Sequence, residues 1–150
     1  MSAAYVNQYI ATQVNSATPE ELLLMLYNGA IRFLTEAECA MAERRLSRQG
    51  ELISKCIAII NELDATLDHE IGGQIAINLD ALYMHMNREL LQANLKDDSS
   101  RLIRVKQLLI GLRDTWGQAI EQIHSEVAVG NGKNRQALET REIANRSASL

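Results

Sequence analysis

Metal chemistry is the first possibility that the residue types raise. Glu121 and His124 have the Glu-x-x-His spacing that supplies ligands to paired metal ions in carboxylate-bridged helical bundles. Such a site needs a second Glu-x-x-His unit and two further inward glutamates, and the sequence contains no second copy. At about 100° per residue, Glu121 also points away from the face that carries Val105, Leu112 and Trp116. We therefore expect neither a metal site nor a cofactor.

The remaining histidines, cysteines and glycines do not form a catalytic pattern. His69 is expected in a turn and His85 at the rim of an apolar face, so neither is placed to activate a nucleophile. Residues 130–133, with the sequence GNGK, lack the pattern of a phosphate-binding loop. Cys39 is expected on the polar side of its helix and Cys56 in the apolar stripe of the next, which favours two reduced, structural thiols. We expect a protein that is not an enzyme.

The composition indicates a globular chain built from helices. Of the 150 residues, 47% are hydrophobic and 23% are charged, which is typical of one ordinary domain. Only 4% are aromatic, and Pro19 is the single proline. Sheets favour aromatic and β-branched residues and use proline and glycine in their turns, so this composition favours long helices instead.

The charge distribution bears on partners and location. The formal net charge is −4, and residues 130–150 hold four basic against two acidic side chains, so residues 1–129 carry −6. Nucleic-acid-binding domains concentrate positive charge on one face, and we expect no nucleic-acid partner. The N-terminus lacks a basic segment followed by an apolar one, and no apolar run approaches the roughly 20 residues that cross a bilayer. We therefore expect a cytoplasmic protein without membrane insertion.

The apolar periodicity predicts four long helices, the first of which has a clear start. Thr18 can cap it, Pro19 fits its first position, and Glu21 completes a capping box. The pattern of this helix is lost near residues 47–50. A second helix follows and is expected to break at the glycines of residues 72–73.

The third predicted helix covers residues 75–94, and its inward face begins at Ile75. Residues 97–100 supply caps for the fourth helix, and the Gly-Asn-Gly sequence after residue 129 is expected to end it. Short loops make successive helices antiparallel neighbours, so the predicted fold is an all-α, antiparallel four-helix bundle. We expect one domain over residues 1–129 and a polar, flexible tail over residues 130–150.

Some apolar residues repeat at seven-residue spacing away from the inward faces. A bundle helix needs only one inward face, so a second apolar stripe predicts a second packing surface. Single exposed leucines and isoleucines are common, but the same spacing occurs in three helices. We interpret the set as a hydrophobic groove that receives helices of a partner. The predicted groove residues are Leu24 and Ile31 in the first helix, Ile77, Met84 and Leu91 in the third, and Ile103 and Ile110 in the fourth.

The segment before the first long helix is itself amphipathic. Tyr5, Tyr9 and Ile10 lie at helical spacing within residues 1–14, which predicts a short amphipathic helix. Two interpretations stay open. The segment either covers part of the groove until a partner displaces it, or it caps the end of the bundle.

Several runs of residues carry a resemblance to a known family. The sequence ATPEEL occupies residues 17–22 and is followed by MLYNGAIRF at residues 25–33. LDHEIGGQIAINL then occupies residues 67–79, and LLQAN occupies residues 90–94. In order and spacing, these runs resemble the flagellin-specific secretion chaperones of the FliS family.

The resemblance implies an ATP-independent cytoplasmic chaperone. Members of that family bind the C-terminal region of flagellin, which is disordered in the monomer, and hold it in helical and extended form around the bundle. This prevents premature polymerisation and keeps the subunit competent for type III export by the flagellar apparatus. Coupled folding and binding lets one flexible segment cover a large surface, at a cost in ordering entropy.

Two other functions fit a helical bundle with a second apolar stripe. The stripe could join two copies into a homodimeric interaction or regulatory module that has no secretion client. Alternatively, the bundle could carry a metal or a cofactor. A co-chaperone or regulator is a further partner that the sequence leaves open.

Overall fold

The computed structural model describes residues 16–148, and within this range it contains four α-helices and no strand. They are α1 (Pro19–Ala42), α2 (Leu46–Ala65), α3 (His69–Lys96) and α4 (Ser99–Ala148). The predicted all-α class is confirmed. The chain divides into two compact units, one up to Asp114 and one from Thr115 onward, and α4 contributes residues to both.

The Thr18 cap and Pro19 fix the start of α1 at the residue that the sequence predicts. Thr18 has an extended backbone, and its Oγ1 accepts a hydrogen bond from the Glu21 amide at 3.2 Å. Pro19 takes the first helical position, where its missing N–H costs nothing. Glu20 and Glu21 place negative charge at the positive end of the helix dipole.

The turn between α1 and α2 lies earlier than predicted. Residues 47–50 belong to α2, and the chain reverses at Arg44, whose φ is 57°. Gly50 is helical, and a Cβ at this position would meet only the side-chain amide of Asn94, at 3.8 Å. The prediction is wrong because one glycine in a helix costs only about 1 kcal/mol, which packing elsewhere in the helix can offset.

The start of α3 also differs from the prediction. Asp68 caps the helix, because its Oδ1 accepts hydrogen bonds from the amides of Glu70 and Ile71 at 3.0 and 3.1 Å. His69, expected in a turn, is the first helical residue. Gly73 has φ 49° and ψ −121° inside the helix, a conformation that side chains rarely adopt. The glycine therefore kinks α3 and does not end α2.

Ile75 is exposed, although the sequence predicts it on the inward face of its helix. α2 ends at Ala65, and Asp64 interacts with Asp80 of α3. The first turns of α3 therefore extend past the end of α2. Helical register alone does not bury a side chain that α2 does not reach.

The fourth helix continues through the residues that were expected to end it. It runs to Ala148, and its side chains are exposed from residue 121 to residue 147. A glycine that ends a helix usually has a positive φ. Among the described glycines only Gly73 has one, so the predicted end at residues 130–132 is wrong. The predicted polar tail is helical as far as Ala148.

The described residues from 16 to 114 form an antiparallel four-helix bundle around one core. Short connections join α1 to α2, α2 to α3 and α3 to α4, which makes each successive pair antiparallel. All four helices contribute large side chains to the core. The largest fully buried ones are Tyr27, Leu34, Gln49, Leu52, Ile53, Ile60, Leu63, Met86, Leu90, Leu102, Val105 and Leu109.

Polar side chains mark the contacts that α3 makes with its two neighbours. On one flank, Asn87 Nδ2 donates a hydrogen bond to Asn61 Oδ1 of α2 at 2.9 Å. On the other flank, Arg101 of α4 pairs with Glu89 at 3.0 Å. The two flanks of α3 can therefore be told apart by their polar partners.

Candidate functional site

Three of the predicted groove residues form an exposed apolar line along α3. Ile77, Met84 and Leu91 follow one another at seven-residue spacing, and each is between 52% and 55% exposed. Leu95, one turn further along, is also exposed and continues the line. At 1.5 Å per residue, the four side chains extend over about 27 Å. We call Ile77, Met84, Leu91 and Leu95 the α3 strip.

The α3 strip is separate from the core of the bundle. Tyr83, Met86 and Leu90 lie within two residues of members of the strip, and all three are buried. Successive residues point about 100° apart around a helix, so the core and the strip occupy different faces of α3. The bundle closes without the strip. Contiguous apolar surface that a fold does not use is typical of an interaction site.

The other predicted groove residues lie along the contact between α1 and α4. Lys106 Nζ is 2.9 Å from Glu38 Oε1, which joins the two helices. Glu38 lies seven residues after Ile31 and shares its helix face. Lys106 lies three residues after Ile103 and four before Ile110. These isoleucines therefore border the same contact.

A second polar contact lies further along the contact between α1 and α4. Arg113 Nη1 donates a hydrogen bond to Asn28 Oδ1 at 3.1 Å. Asn28 lies within four residues of both Leu24 and Ile31, and Arg113 lies three residues after Ile110. Of the four predicted residues on these helices, Ile103 is 40% exposed and the other three are half-buried. We call this group the α1–α4 seam, and it consists of Leu24, Ile31, Ile103 and Ile110.

The structure therefore places the seven predicted residues on two surfaces. Asn87, which bonds to α2, borders the α3 strip because it lies three residues after Met84 and four before Leu91. Glu89, which meets α4, lies on the other flank of α3. The strip runs along the side of α3 nearer to α2, whereas the seam joins α1 and α4. A partner that used both surfaces would have to pass around the bundle.

Sequence reasoning missed two exposed leucines. Leu95 lies four residues after Leu91, a helical spacing that a search for seven-residue repeats overlooks. Leu108 lies at a cavity between α3 and α4. No spacing within one helix indicates such a cavity, because two helices form it together.

That cavity has a volume of about 630 Å³ and a mixed lining. Val105 is fully buried beneath it, and Leu108 adds a partly exposed apolar side chain. Its charged side chains include Glu89, whose two carboxylate oxygens lie 3.0 and 3.1 Å from Nη1 of Arg101. The lining residues are His85 and Glu89 from α3 and Arg101, Arg104, Val105, Gln107 and Leu108 from α4.

Burial raises the pKa of several titratable groups in the bundle. Burial raises the pKa of Tyr83 well above its ordinary range, and its hydrogen bond with Tyr27 raises it further. Burial also raises the pKa of the Cys56 thiol to about 12. The pKa of Asp64 is raised, first by burial and then by the nearby carboxyl group of Asp80. A thiol with a raised pKa is a poor nucleophile, which favours a structural role for Cys56.

The residues considered for metal chemistry are not assembled into a site. Glu121 and His124 are both exposed. Within residues 16–148, no group of three or more His, Cys, Asp or Glu side chains could hold a metal ion. Cys39 is exposed and Cys56 buried, and both are free thiols. No helix in the described range has a stretch that is both long and apolar enough to cross a bilayer.

The remaining predicted site residues belong to the N-terminal segment. Tyr5, Tyr9 and Ile10 lie outside the residues that the structure describes. Their expected part as a groove cover, a partner contact or an end cap stays a prediction.

The closed core and the apolar surfaces outside it define this chain as an all-α helical-bundle protein. The family model described as "Flagellar protein FliS" matches residues 1–123. The chain belongs to the FliS family.

Curated relatives agree with this membership. The chain is 40% identical over 121 residues to the flagellar secretion chaperone FliS of Bacillus subtilis, covering 79% of this chain and 90% of the relative. It is 41% identical over 116 residues to the protein of the same name from Salmonella typhimurium, covering 77% and 86%. Flagellar secretion chaperone FliSB of Pseudomonas aeruginosa is 38% identical over 112 residues, with 75% and 89% covered. These relatives are named as chaperones and not as enzymes, which supports an export-chaperone role.

Proposed function

We propose that this chain is a cytoplasmic chaperone that binds the disordered C-terminal segment of flagellin. In this proposal, binding prevents premature polymerisation and keeps flagellin competent for type III export by the flagellar apparatus. The observation that carries the proposal is the α3 strip, an exposed apolar line of helical length on a bundle whose core is closed without it. The names of the curated relatives supply the secretion context.

The strip has the length and chemistry to hold an amphipathic helix. Its extent of about 27 Å corresponds to about 18 helical residues at 1.5 Å per residue. Covering the exposed half of one leucine or isoleucine side chain contributes on the order of 1 kcal/mol. Ile77, Met84 and Leu91 would together contribute about 3 kcal/mol before the cost of ordering the client. A disordered client therefore needs further contacts for tight binding.

The α1–α4 seam is the second surface that we assign to the client. Ile103 is the most accessible member, and the polar contacts of Lys106 and Arg113 flank the seam. A flexible segment can reach two separate surfaces by passing around the bundle, whereas a preformed rigid helix cannot. Use of both surfaces would add apolar contact area to that of the strip.

The N-terminal segment has a place in the same proposal. Tyr5, Tyr9 and Ile10 would cover part of the apolar surface in the free protein and leave it when the client binds. Residues that cover an apolar surface in this way also limit self-association of the free chaperone.

A homodimeric module is the alternative that the same apolar surface supports. Isothermal titration calorimetry of the full chain with the C-terminal segment of flagellin from the same organism distinguishes the two. Saturable binding with a negative heat-capacity change is expected, because binding buries apolar surface. Mass measurement at several protein concentrations completes the test. Failure to bind together with a concentration-dependent doubling of mass would favour the homodimer instead.

A further inference from the structure

The α3–α4 cavity is a third surface, distinct from the strip and the seam. His85 and Glu89 line it from the flank of α3 that faces α4. The α3 strip lies on the other flank, beside Asn87. The accessible apolar part of the cavity lining is the partly exposed Leu108, since Val105 is fully buried. At about 630 Å³, the cavity has room for a large aliphatic side chain.

The two arginines that line the cavity differ in how closely they contact carboxylates. Arg101 Nη1 lies 3.0 and 3.1 Å from the two oxygens of Glu89, and its Nε lies 3.2 Å from Asp98. Glu89 is thereby paired with Arg101. Arg104 reaches the same carboxylate at only 3.8 Å, beyond hydrogen-bonding distance, and its side chain is 62% exposed.

This arrangement favours a negatively charged neighbour. A guanidinium group has five N–H donors in a planar fork and pairs with a carboxylate through two parallel hydrogen bonds. The lining of the cavity contains two arginines and one glutamate, although the whole chain has a net charge of −4. The cavity thus combines the apolar side chain of Leu108 with an exposed arginine, Arg104, whose ion pair with Glu89 is longer than a hydrogen bond.

We propose that the α3–α4 cavity receives an aliphatic side chain of the client and that a carboxylate about one helical turn away pairs with Arg104. This inference rests on the proposed function, since it assigns the cavity to the C-terminal segment of flagellin. The partly exposed Leu108 contacts the aliphatic side chain, and Arg104 sets the position of the segment along α4. The α3 strip and the α1–α4 seam offer the client apolar contacts. The contact with Arg104 adds a charged one that fixes the orientation of the client.

Calorimetry of the full chain with the flagellin segment tests the inference through Arg104→Glu and Leu108→Asp. Arg45→Glu is the matched control, because Arg45 is 65% exposed and pairs with Glu43 at 3.7 Å, closely resembling Arg104. We expect each cavity variant to weaken binding about tenfold and the control to change it less than twofold. Arg104→Glu should also reduce the loss of affinity that added salt causes.

A charge-swap series identifies the paired carboxylate. Each Asp and Glu of the flagellin segment is replaced in turn by Lys, and binding to Arg104→Glu is measured. Recovery of affinity by one of these peptides would support the proposal. If the unaltered chain binds the segment and both cavity variants bind it equally well, the cavity assignment is wrong while the proposed function stands.

Two other results have separate meanings. If the unaltered chain does not bind the segment at all, the proposed function itself fails. If Leu108→Asp or Arg104→Glu instead abolishes a concentration-dependent dimer, the cavity binds a second copy of this chain and the proposal is overturned. Thermal unfolding of each variant separates these results from a failure to fold.

Discussion

The hydroxyl groups of Tyr27 and Tyr83 are hydrogen-bonded to each other inside the core, and this bond joins α1 to α3 across the bundle. Both side chains are almost completely buried. A buried polar group that loses its partner keeps its desolvation cost, so the two hydroxyl groups depend on each other. The pair ties together two helices that are not consecutive in the chain.

We predict that the two tyrosines are energetically coupled. Tyr83→Phe should lower the free energy of unfolding by about 1–2 kcal/mol, because it removes a partner from the buried hydroxyl of Tyr27. The double variant with Tyr27→Phe should lose less than the sum of the single variants, by about 0.5 kcal/mol or more. Urea unfolding of the four proteins measures this. Strict additivity would contradict the coupling.

Two glycines in helices should respond to alanine in opposite directions. Gly73 has φ 49° and ψ −121°, so Gly73→Ala should destabilise the chain by about 1–3 kcal/mol although a Cβ there meets nothing within 4 Å. Gly111 is helical without a positive φ, and a Cβ there also meets nothing within 4 Å. Gly111→Ala should therefore stabilise by about 0.5–1 kcal/mol. A stabilising effect of Gly73→Ala in thermal or urea unfolding would show that the kink is absent.

The two cysteines should differ in reactivity with a thiol reagent. Cys39 is exposed and should react within the mixing time of the experiment, whereas Cys56 is buried and should react only as the bundle opens. Labelling should thus show one fast equivalent in the native protein and two in urea. Cys39→Ser should remove the fast phase. Fast labelling that survives this change would mean that Cys56 is accessible.

Burial of Cys56 also predicts a loss of stability at alkaline pH. The pKa of its thiol is raised to about 12 in the folded state, from 9.0 without burial. Because the pKa is raised in the folded state, the Cys56 thiol loses its proton at lower pH in the unfolded chain. The contribution of this thiol to the free energy of unfolding is therefore fully present below pH 9.0 and decreases as pH rises towards about 12. The thiol should account for about 1 kcal/mol between pH 9 and pH 10.

The matched variant for this pH dependence is Cys56→Ala. It should be less stable at neutral pH, because it leaves a small cavity, but its stability should fall less steeply above pH 9. Urea unfolding at several pH values compares the two proteins. Equal slopes for both would show that the thiol is not protected by burial.

Much of the bundle could be predicted because its sequence signals are local. Thr18, Pro19 and Glu21 mark the start of α1 through capping that involves only neighbouring residues. The inward positions Leu34, Ile60 and Leu90 follow from helical periodicity, and all are buried. The exposure of the α3 strip follows from the same periodicity, because a second apolar line cannot share the core-facing side.

The missed features depend on distance in space or on weak local preferences. Arg44 adopts a positive φ that its residue type does not indicate, so the turn between α1 and α2 was expected several residues later. Gly130 and Gly132 were expected to end α4, but a helix can pass through glycine at a cost of about 1 kcal/mol each. The separation of the strip from the seam depends on which helices are neighbours. The spacing of residues within one helix does not indicate which other helices lie beside it.

Flagellin binding by a Leu91→Asp variant measures the role of the α3 strip most directly. Leu46→Asp is the matched control, because Leu46 is 61% exposed against 55% for Leu91 and is not part of the strip or the seam. Calorimetry with the C-terminal segment of flagellin should show binding at least about tenfold weaker for Leu91→Asp, and nearly unchanged for Leu46→Asp. Both variants should melt close to the unaltered chain, because both positions are exposed. Full-strength binding by Leu91→Asp, or a large loss of its thermal stability, would contradict the assignment of the strip as the client surface.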